Sequence, residues 1–255
     1  MPQHIAAQGV NMNLALIGYG KMGREVELLA KEKGIRIASI FTSDNNIDGI
    51  GLTPASLKGV DICIDFSTPT AVVKNVEAIA SCGKSIVVGA TGWYDRMDEV
   101  KKLVKERKIG FLYATNFSLG VNLFSQLVMD AAHLFEKHSG YDVSINEVHH
   151  RGKVDSPSGT ALSLASLIMQ TMRRKTEILS ENPHREIKSH ELHVTSTRVG
   201  TINGKHTVLF DSEADTIELV HTAKNRRGFA LGAIVAAEWL KGKKGFYTMR
   251  DVILS

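Results

Sequence analysis

NLALIGYGKMG, residues 13–23, joins a short apolar run to three closely spaced glycines, and this stretch decides the fold. The run has the length and composition of a buried strand, and apolar side chains recur at helical spacing from Lys21 to Lys33. In the pattern Gly18-x-Gly20-x-x-Gly23, the first glycine makes a tight turn, the second lets the backbone approach a pyrophosphate, and the third permits close helix packing. A strand, a turn and a helix that bind a dinucleotide are predicted, with a ligand-free tight turn as the alternative.

Apolar runs and helical segments alternate along the first half of the chain. Val60 to Phe66 and Ser85 to Gly89 are rich in Ile and Val, and Thr70 to Ser81 between them has helical spacing. Strands joined by helices pair in parallel and are covered on both faces. We therefore expect an α/β fold with a Rossmann-type doubly wound parallel sheet over residues 12–116.

The pattern changes after residue 116. Helical segments at Val121 to Phe135 and Ser158 to Met172 are separated by extended segments of alternating polarity, which is typical of an α+β domain. Asn203-Gly204 predicts a two-residue hairpin between Val199 to Ile202 and His206 to Phe210, so the second sheet is expected to be mixed.

The predicted domain organisation has an inserted second domain. Residues 12–116 and 226–255 form the dinucleotide-binding domain, because the apolar helix Phe229 to Leu240 can return to pack on it. Residues 117–225 form a substrate-binding and oligomerisation domain. Residues 1–11 are interpreted as a leader or loose extension.

The composition excludes several classes of protein. Hydrophobic residues at 43% and charged residues at 23% are typical of a globular chain. The 31 Lys and Arg and 27 Asp and Glu residues are scattered, so no nucleic-acid interface is expected. The two cysteines form no CxxC pair, which argues against a zinc ribbon or a disulfide scaffold. No apolar run has the length of a membrane span, and we expect a cytoplasmic protein without membrane contact.

Candidate cofactor residues lie where the predicted parallel strands end, since ligands bind at the carboxyl ends of such strands. A neutral segment stands where NAD-binding proteins usually place an acidic residue, and Lys21 and Arg24 are available for a 2′-phosphate, although a solvated helix face explains them equally well. This pattern favours NADPH over strict NADH use and leaves dual use open. The candidates are Gly18, Tyr19, Gly20, Lys21 and Gly23 in the glycine turn, Thr42 and Ser43, Phe66 and Ser67, and Gly89, Thr91 and Gly92.

EVHHRGKVDSPSGTA, residues 147–161, carries the other candidate chemistry. Two histidines and a lysine follow a predicted strand, and Pro157 to Thr160 opens a helix whose free amides favour an anion. A pocket for a carboxylate is predicted. A metal site is the less favoured alternative, because adjacent His149 and His150 lack helical i, i+4 spacing and have no clear third ligand.

This stretch resembles the substrate motif of the dihydrodipicolinate reductase family, roughly E-x-H-H-x-x-K-x-D-A-P-S-G-T-A. Further similar motifs occur in family order along the chain: the glycine turn with Met22, Asp65-Phe66-Ser67-x-Pro69, Gly89 to Gly92, Asn116-Phe117-Ser118-x-Gly120-Val121-Asn122, and Arg226-Arg227-Gly228-Phe229-Ala230. The chain departs from the family pattern in a glycine turn one residue shorter and in Ala90, Thr115 and Ser156. The departures concern the cofactor more than the chemistry.

The resemblance implies NAD(P)H-dependent reduction of 4-hydroxy-tetrahydrodipicolinate, through its dehydrated form, to tetrahydrodipicolinate in diaminopimelate and lysine biosynthesis. It implies a homotetramer with a hinge between its two domains, and it adds Met22, Thr115, Asn116 and Phe117 to the cofactor site. His149 and Lys153 would be catalytic, and a small dicarboxylate would be bound by His150, Ser158, Gly159, Thr160 and Arg226.

Two alternatives remain at this level. Another two-domain dehydrogenase could use the same fold to reduce a different imine or carbonyl, because the fold does not fix the substrate. A sensor could bind NAD(P) without turnover, although it would not need a cluster of acid, base and anion-binding groups.

Overall fold

The computed structural model describes residues 12–181 and 183–255, so the predicted leader at residues 1–11 lies outside the described residues. The described chain up to Leu119, together with Arg227–Ser255, forms one compact unit, and Gly120–Arg226 forms a second. Across the described ranges, we find no helix with both the length and the apolarity needed to cross a membrane.

Strands and helices follow one another in an order that changes character between the two units. In chain order they are β1 (Asn13–Ile17), α1 (Lys21–Glu32), β2 (Arg36–Phe41), β3 (Ile62–Asp65), α2 (Val72–Ser81), β4 (Ser85–Val88), α3 (Met97–Arg107), β5 (Gly110–Tyr113), α4 (Leu119–Glu136), β6 (Asp142–His149), α5 (Gly159–Thr171), β7 (Glu177–Leu179), β8 (Glu191–Arg198), β9 (Lys205–Asp211), β10 (Thr216–Thr222), α6 (Arg227–Leu240), β11 (Gly245–Thr248) and α7 (Met249–Ile253).

The sheet of the first unit is parallel throughout, with the strand order β2-β1-β3-β4-β5-β11. Its strands are apolar on both sides because both faces are covered. Leu14 and Leu16 pack in a core with α1 and α6, whereas Ala15 and Ile17 pack in a second core with α2 and α3. The predicted Rossmann-type doubly wound sheet is confirmed.

The strand order places a crevice between β1 and β3. The chain moves from β1 to β2 on one side and then returns to β3 on the other side of β1. Ligands of open α/β sheets bind where the strand order reverses in this way. The loops that follow Ile17 and Asp65 therefore flank the expected ligand position.

The second unit has a mixed sheet, which confirms the prediction, and its strand order is β10-β9-β6-β8-β7. The central strand β6 is parallel to β8 and antiparallel to β9. Side chains of α4 and α5, including Phe124, Val128, Leu164 and Ile168, form its core with the strands. This core fixes β6 and the start of α5, which carry the second group of candidate residues.

The predicted hairpin at Asn203-Gly204 is wrong. The preceding strand, β8, and the following strand, β9, both pair with β6 and not with each other. Asn203 instead donates to the Lys224 carbonyl, and the Ala223 amide donates to the Gly204 carbonyl. Local turn chemistry placed the chain reversal at Asn203-Gly204, whereas the structure has a turn at Gly200 and Thr201, and it could not reveal that β6 lies between β8 and β9. The observed hairpin joins β9 to β10.

Candidate active site

The presence of glycine at each of the three positions of the turn has a different structural explanation. Gly18 has φ +84°, and a Cβ there would lie 2.6 Å from the backbone of Phe66. A Cβ on Gly23 would lie 2.3 Å from the Gly18 carbonyl oxygen. Gly20, the N-cap of α1, has an ordinary φ of −80° and nothing within 4 Å of a Cβ position. Protein packing explains Gly18 and Gly23, whereas the open space at Gly20 is what a closely approaching phosphate needs.

A cavity of about 530 Å³ opens beside this turn. It is large enough for part of a dinucleotide, since small-molecule sites usually span a few hundred cubic ångströms. Among the residues that the structure describes, neither a carboxylate nor a cationic side chain lines it. The lining residues are Ile17, Gly18, Tyr19, Gly20, Phe41, Thr42, Ser43, Asn46, Ile47, Phe66, Ser67, Thr68, Ala71 and Asn75.

A network of buried and half-buried polar side chains connects the loop after β2 with the loop after β3, and both loops border this cavity. Asn75 donates to Asp65 at 2.9 Å and to the Ser67 hydroxyl at 3.2 Å, and Asn46 donates to Asn75 at 2.9 Å. Burial raises the pKa of Asp65, although hydrogen bonds from Ser67 and Asn75 act in the opposite direction. The sequence analysis missed Asn46 and Asn75, because a polar residue inside a loop or helix gives no sign of the contacts that bury it.

The remaining cofactor candidates lie around the cavity without lining it. Lys21 is exposed at the start of α1, and Met22 packs against the hydrophobic core. A Cβ on Gly89 would collide with the Phe66 ring at 2.1 Å, and Phe117 makes an edge contact with the same ring. The other candidates follow the ends of β4 and β5: Thr91, Gly92, Thr115 and Asn116.

Glu147 and His149 form a buried pair at the end of β6. Their side chains share one face of the strand, and His149 Nδ1 is hydrogen-bonded to Glu147 Oε2. Glu147 is fully buried, and its other oxygen accepts from Arg198 at 2.7 Å. Burial alone would raise the pKa of Glu147, but the hydrogen bonds from Arg198 and His149 outweigh it and hold the pKa below its usual value. An ionised Glu147 accepts a hydrogen bond from Nδ1 of His149 and so fixes the orientation of the ring.

Ser158 links this pair to the N-terminus of α5. Its amide donates to Glu147 Oε1 at 3.2 Å, and its hydroxyl accepts from the Ala161 amide as the N-cap of the helix. Gly159 is exposed and has nothing within 4 Å of a Cβ position. Open space at a helix start, which is the positive end of the helix dipole, suits an anion.

Lys153 lies in the loop between β6 and α5. Its amine donates to both oxygens of Asp155, at 2.7 and 2.9 Å, and this pairing lowers the pKa of Asp155. Arg198 holds the loop by donating to the carbonyls of Asp155 and Lys153, at 2.6 and 3.3 Å. His150 is half-buried beside this loop, and Arg226 is exposed at the end of the unit.

Two further residues complete the cluster, and the sequence analysis did not select them. Arg198 ends β8, and His206 on β9 lies opposite Glu147 across the sheet. The only sequence signal was a charged or ionisable side chain at a strand end. Pairing of distant strands, which the sequence did not reveal, brings both residues to β6.

His206 adds to Glu147 and His149 the third potential metal ligand that the sequence alone did not provide. Their ligand atoms lie within 4.8 Å of one another. Arg198 and the Ser158 amide, however, already bind the Glu147 carboxylate, and His149 binds its second oxygen. Arg198 and these hydrogen bonds balance the carboxylate charge without a metal ion, so the cluster does not need one.

A Cβ on Gly204 would lie 2.9 Å from His149 Nε2, and φ of this glycine is +149°. The glycine therefore keeps a side chain away from the ring nitrogen that Glu147 does not bind. Gly204 thus lies beside the candidate site.

The chain matches two family profiles, described as dihydrodipicolinate reductase N-terminus over residues 12–117 and C-terminus over residues 120–253. A 4-hydroxy-tetrahydrodipicolinate reductase from Christiangramia forsetii is 42% identical over 243 residues, covering 95% of this chain and 98% of that protein. One from Archaeoglobus fulgidus is 36% identical, covering 95% and 100%.

A solved structure has a similar fold. The dipicolinate-bound dihydrodipicolinate reductase from Paenisporosarcina sp. TG-14 gives a TM-score of 0.73 at 22% identity, covering 95% of this chain and 99% of that one. Family profiles over both units, together with relatives matched over nearly their whole length, agree with the motifs at both sites. The chain belongs to the dihydrodipicolinate reductase family.

Proposed function

We propose that the protein catalyses the NAD(P)H-dependent reduction of 4-hydroxy-tetrahydrodipicolinate, through its dehydrated form, to tetrahydrodipicolinate. The observation that carries this proposal is the hydrogen-bonded connection from His149 through Glu147 to the Ser158 amide at the start of α5. It joins an imidazole, which can act as a general acid, to a site for a carboxylate. A sensor that does not turn over substrate would not need this connection.

Each group of the second unit has a role in this proposal. His149 and Lys153 supply a proton and stabilise charge as it develops on the ring nitrogen of the substrate, while Glu147 orients His149. His150, Ser158, Gly159, Thr160 and Arg226 bind the two carboxylates.

The first unit is proposed to hold the cofactor. A bound reduced nicotinamide supplies the hydride. Gly20 and the free amides of α1 would meet the pyrophosphate, and Thr42 and Ser43 would meet the adenine ribose. Because no carboxylate lines the cavity, nothing there repels a 2′-phosphate, which supports use of NADPH alongside NADH.

The assembly is proposed to be a cytoplasmic homotetramer, on the basis of the family resemblance. Exposed Ile217 and Val220 on the edge strand β10 offer apolar surface to another subunit. Sedimentation velocity measures the oligomeric state, and a monomer would contradict the proposed homotetramer.

The first experiment follows the loss of reduced-cofactor absorbance with NADH and NADPH in parallel. The substrate is generated freshly from pyruvate and aspartate semialdehyde by the preceding synthase. We expect oxidation that depends on the condensation product with both cofactors. Cofactor binding without turnover would favour the sensor, and turnover only with another imine or carbonyl would favour a different dehydrogenase.

Thr160→Val tests the carboxylate site with little change in side-chain shape. We expect the KM of the substrate to rise about tenfold with kcat nearly unchanged, because a carboxylate is bound equally in the ground and transition states. His150→Asn should act in the same direction. Thr171→Val, which removes a hydroxyl at the other end of α5, is the control. A loss confined to kcat in Thr160→Val would contradict the assignment.

A further inference from the structure

His206 is a buried histidine to which the proposed reaction gives no role. It is 4% exposed and lies on β9, opposite Glu147 on one side and His221 on the other. Its Nε2 is 3.2 Å from the Ser158 hydroxyl, and its ring centroid is 5.2 Å from that of His149. His206 therefore lies next to Ser158 at the start of α5 and also next to the hydrogen-bonded pair of Glu147 and His149.

The surroundings keep His206 neutral at physiological pH. Burial lowers its pKa to about 4, and positive charge on His149, His221 and Lys153 acts in the same direction, while Glu147 opposes them. A neutral imidazole has one N–H donor and one nitrogen with a lone pair. Its action on Ser158 thus depends on which nitrogen carries the hydrogen.

Hydrogen-bond partners decide between the two tautomers. Nδ1 of His206 is buried and has no hydrogen-bond partner among the residues that the structure describes. A buried N–H without an acceptor is less readily tolerated than a buried lone pair without a donor. We therefore assign the hydrogen to Nε2, which donates to the Ser158 hydroxyl oxygen.

This assignment determines where the Ser158 hydroxyl can point. Its oxygen accepts from the Ala161 amide at 3.2 Å and from His206 Nε2, so both of its lone pairs are used. The hydroxyl hydrogen must then find another acceptor. Ser158 stands at the start of α5, where the proposed substrate carboxylate would bind.

We propose that His206 is a positioning residue that holds the Ser158 hydroxyl as a hydrogen-bond donor to a carboxylate of the substrate. The inference rests on the proposed function and deepens it, since it assigns the carboxylate site a donor whose direction is set by a second histidine. Hydrogen bonds in such a chain polarise one another, so the Nε2 donor also strengthens the serine donor.

The test compares two replacements of His206. His206→Gln can place an amide N–H near the Nε2 position, whereas His206→Leu has a similar volume and no donor. We expect His206→Leu to raise the KM of the substrate about tenfold, as for loss of one hydrogen bond to a charged group, with kcat and the KM of the cofactor little changed. His206→Gln should recover most of the affinity.

A double-mutant cycle with Ser158→Ala distinguishes positioning from general packing. If His206 acts through Ser158, His206→Leu should add nothing to the KM of Ser158→Ala, whereas additive effects would overturn the proposal. Equal KM values for the Gln and Leu variants would also overturn it. Should the Leu variant fail to fold, His206→Asn, which is too short to reach the hydroxyl, replaces it with the same expected result.

A binding measurement separates this proposal from the proposed function. Calorimetry with pyridine-2,6-dicarboxylate in the presence of reduced cofactor reports on the anion site without turnover. We expect the Leu variant to bind about tenfold more weakly than the unmodified protein and the Gln variant to bind nearly as well. An unmodified protein that binds the dicarboxylate but reduces no substrate refutes the proposed reaction alone. An unmodified protein that reduces the substrate while the Leu and Gln variants bind the dicarboxylate equally refutes the role of His206.

Discussion

Lys153→Ala is expected to lower kcat by a factor of about 10² to 10⁴, and His149→Ala is expected to do the same. Both side chains would interact most strongly with the ring as charge develops on it, and an interaction made only in the transition state is lost from kcat. The factor corresponds to about 3 to 5 kcal/mol of transition-state stabilisation. Steady-state kinetics with freshly generated substrate measure it.

The control for Lys153→Ala must remove a similar ion pair elsewhere. Lys101 pairs with Asp98 at 3.6 Å on α3 and is about half exposed, so Lys101→Ala should leave kcat unchanged. Full activity of both the Lys153 and His149 variants would refute the catalytic assignment. If only one of the two variants keeps its activity, the proton transfer depends on the residue that is replaced in the inactive variant.

Local sequence patterns were sufficient to predict most of the first unit. Its central strands are apolar on both faces and its longer helices keep regular spacing, so propensity, pattern and burial agree there. The strand β11 was missed because it lacks the Ile and Val that marked the equally short β3 and β4, and the five residues of α7 are too few for a helical period to emerge. The strand β7, three residues long, was missed because it also contains too few residues for a period to emerge.

The second site was predictable only where its residues are adjacent in sequence. Residues 147–161 carry the proposed catalytic and carboxylate-binding groups in one stretch, where a local motif can point to them. Arg198 and His206 come to the same place because β8 and β9 flank β6, which is a property of the sheet and not of any local pattern. The wrong hairpin at Asn203-Gly204 hid this arrangement, since it would have paired β8 with β9 directly.

Arg198→Met is expected to lower the free energy of unfolding by about 3 to 5 kcal/mol, because it leaves a buried carboxylate without its cation. Glu147 is fully buried and the Arg198 side chain is 19% exposed. Arg96→Met is the matched control, since Arg96 and Glu99 are both more than 40% exposed and such pairs contribute about 0 to 1 kcal/mol. Urea unfolding at pH 7 compares the two.

The pH dependence of this loss identifies its cause. The pKa of Glu147 is lowered in the folded protein, so its ionisation adds stability above the unfolded pKa of about 4.3, and this stability disappears as the pH falls through the folded value. In Arg198→Met burial remains while the main opposing hydrogen bond is gone, so the pKa of Glu147 rises and the carboxyl takes up a proton more readily. The gap in the free energy of unfolding between the unmodified protein and Arg198→Met should therefore narrow as the pH is lowered to about 4.

Adding Glu147→Gln to Arg198→Met should restore much of the stability at pH 7, because a neutral amide needs no cation. A gap that is independent of pH and unaffected by Glu147→Gln would mean that Arg198 stabilises the fold mainly by bonding the carbonyls of Lys153 and Asp155.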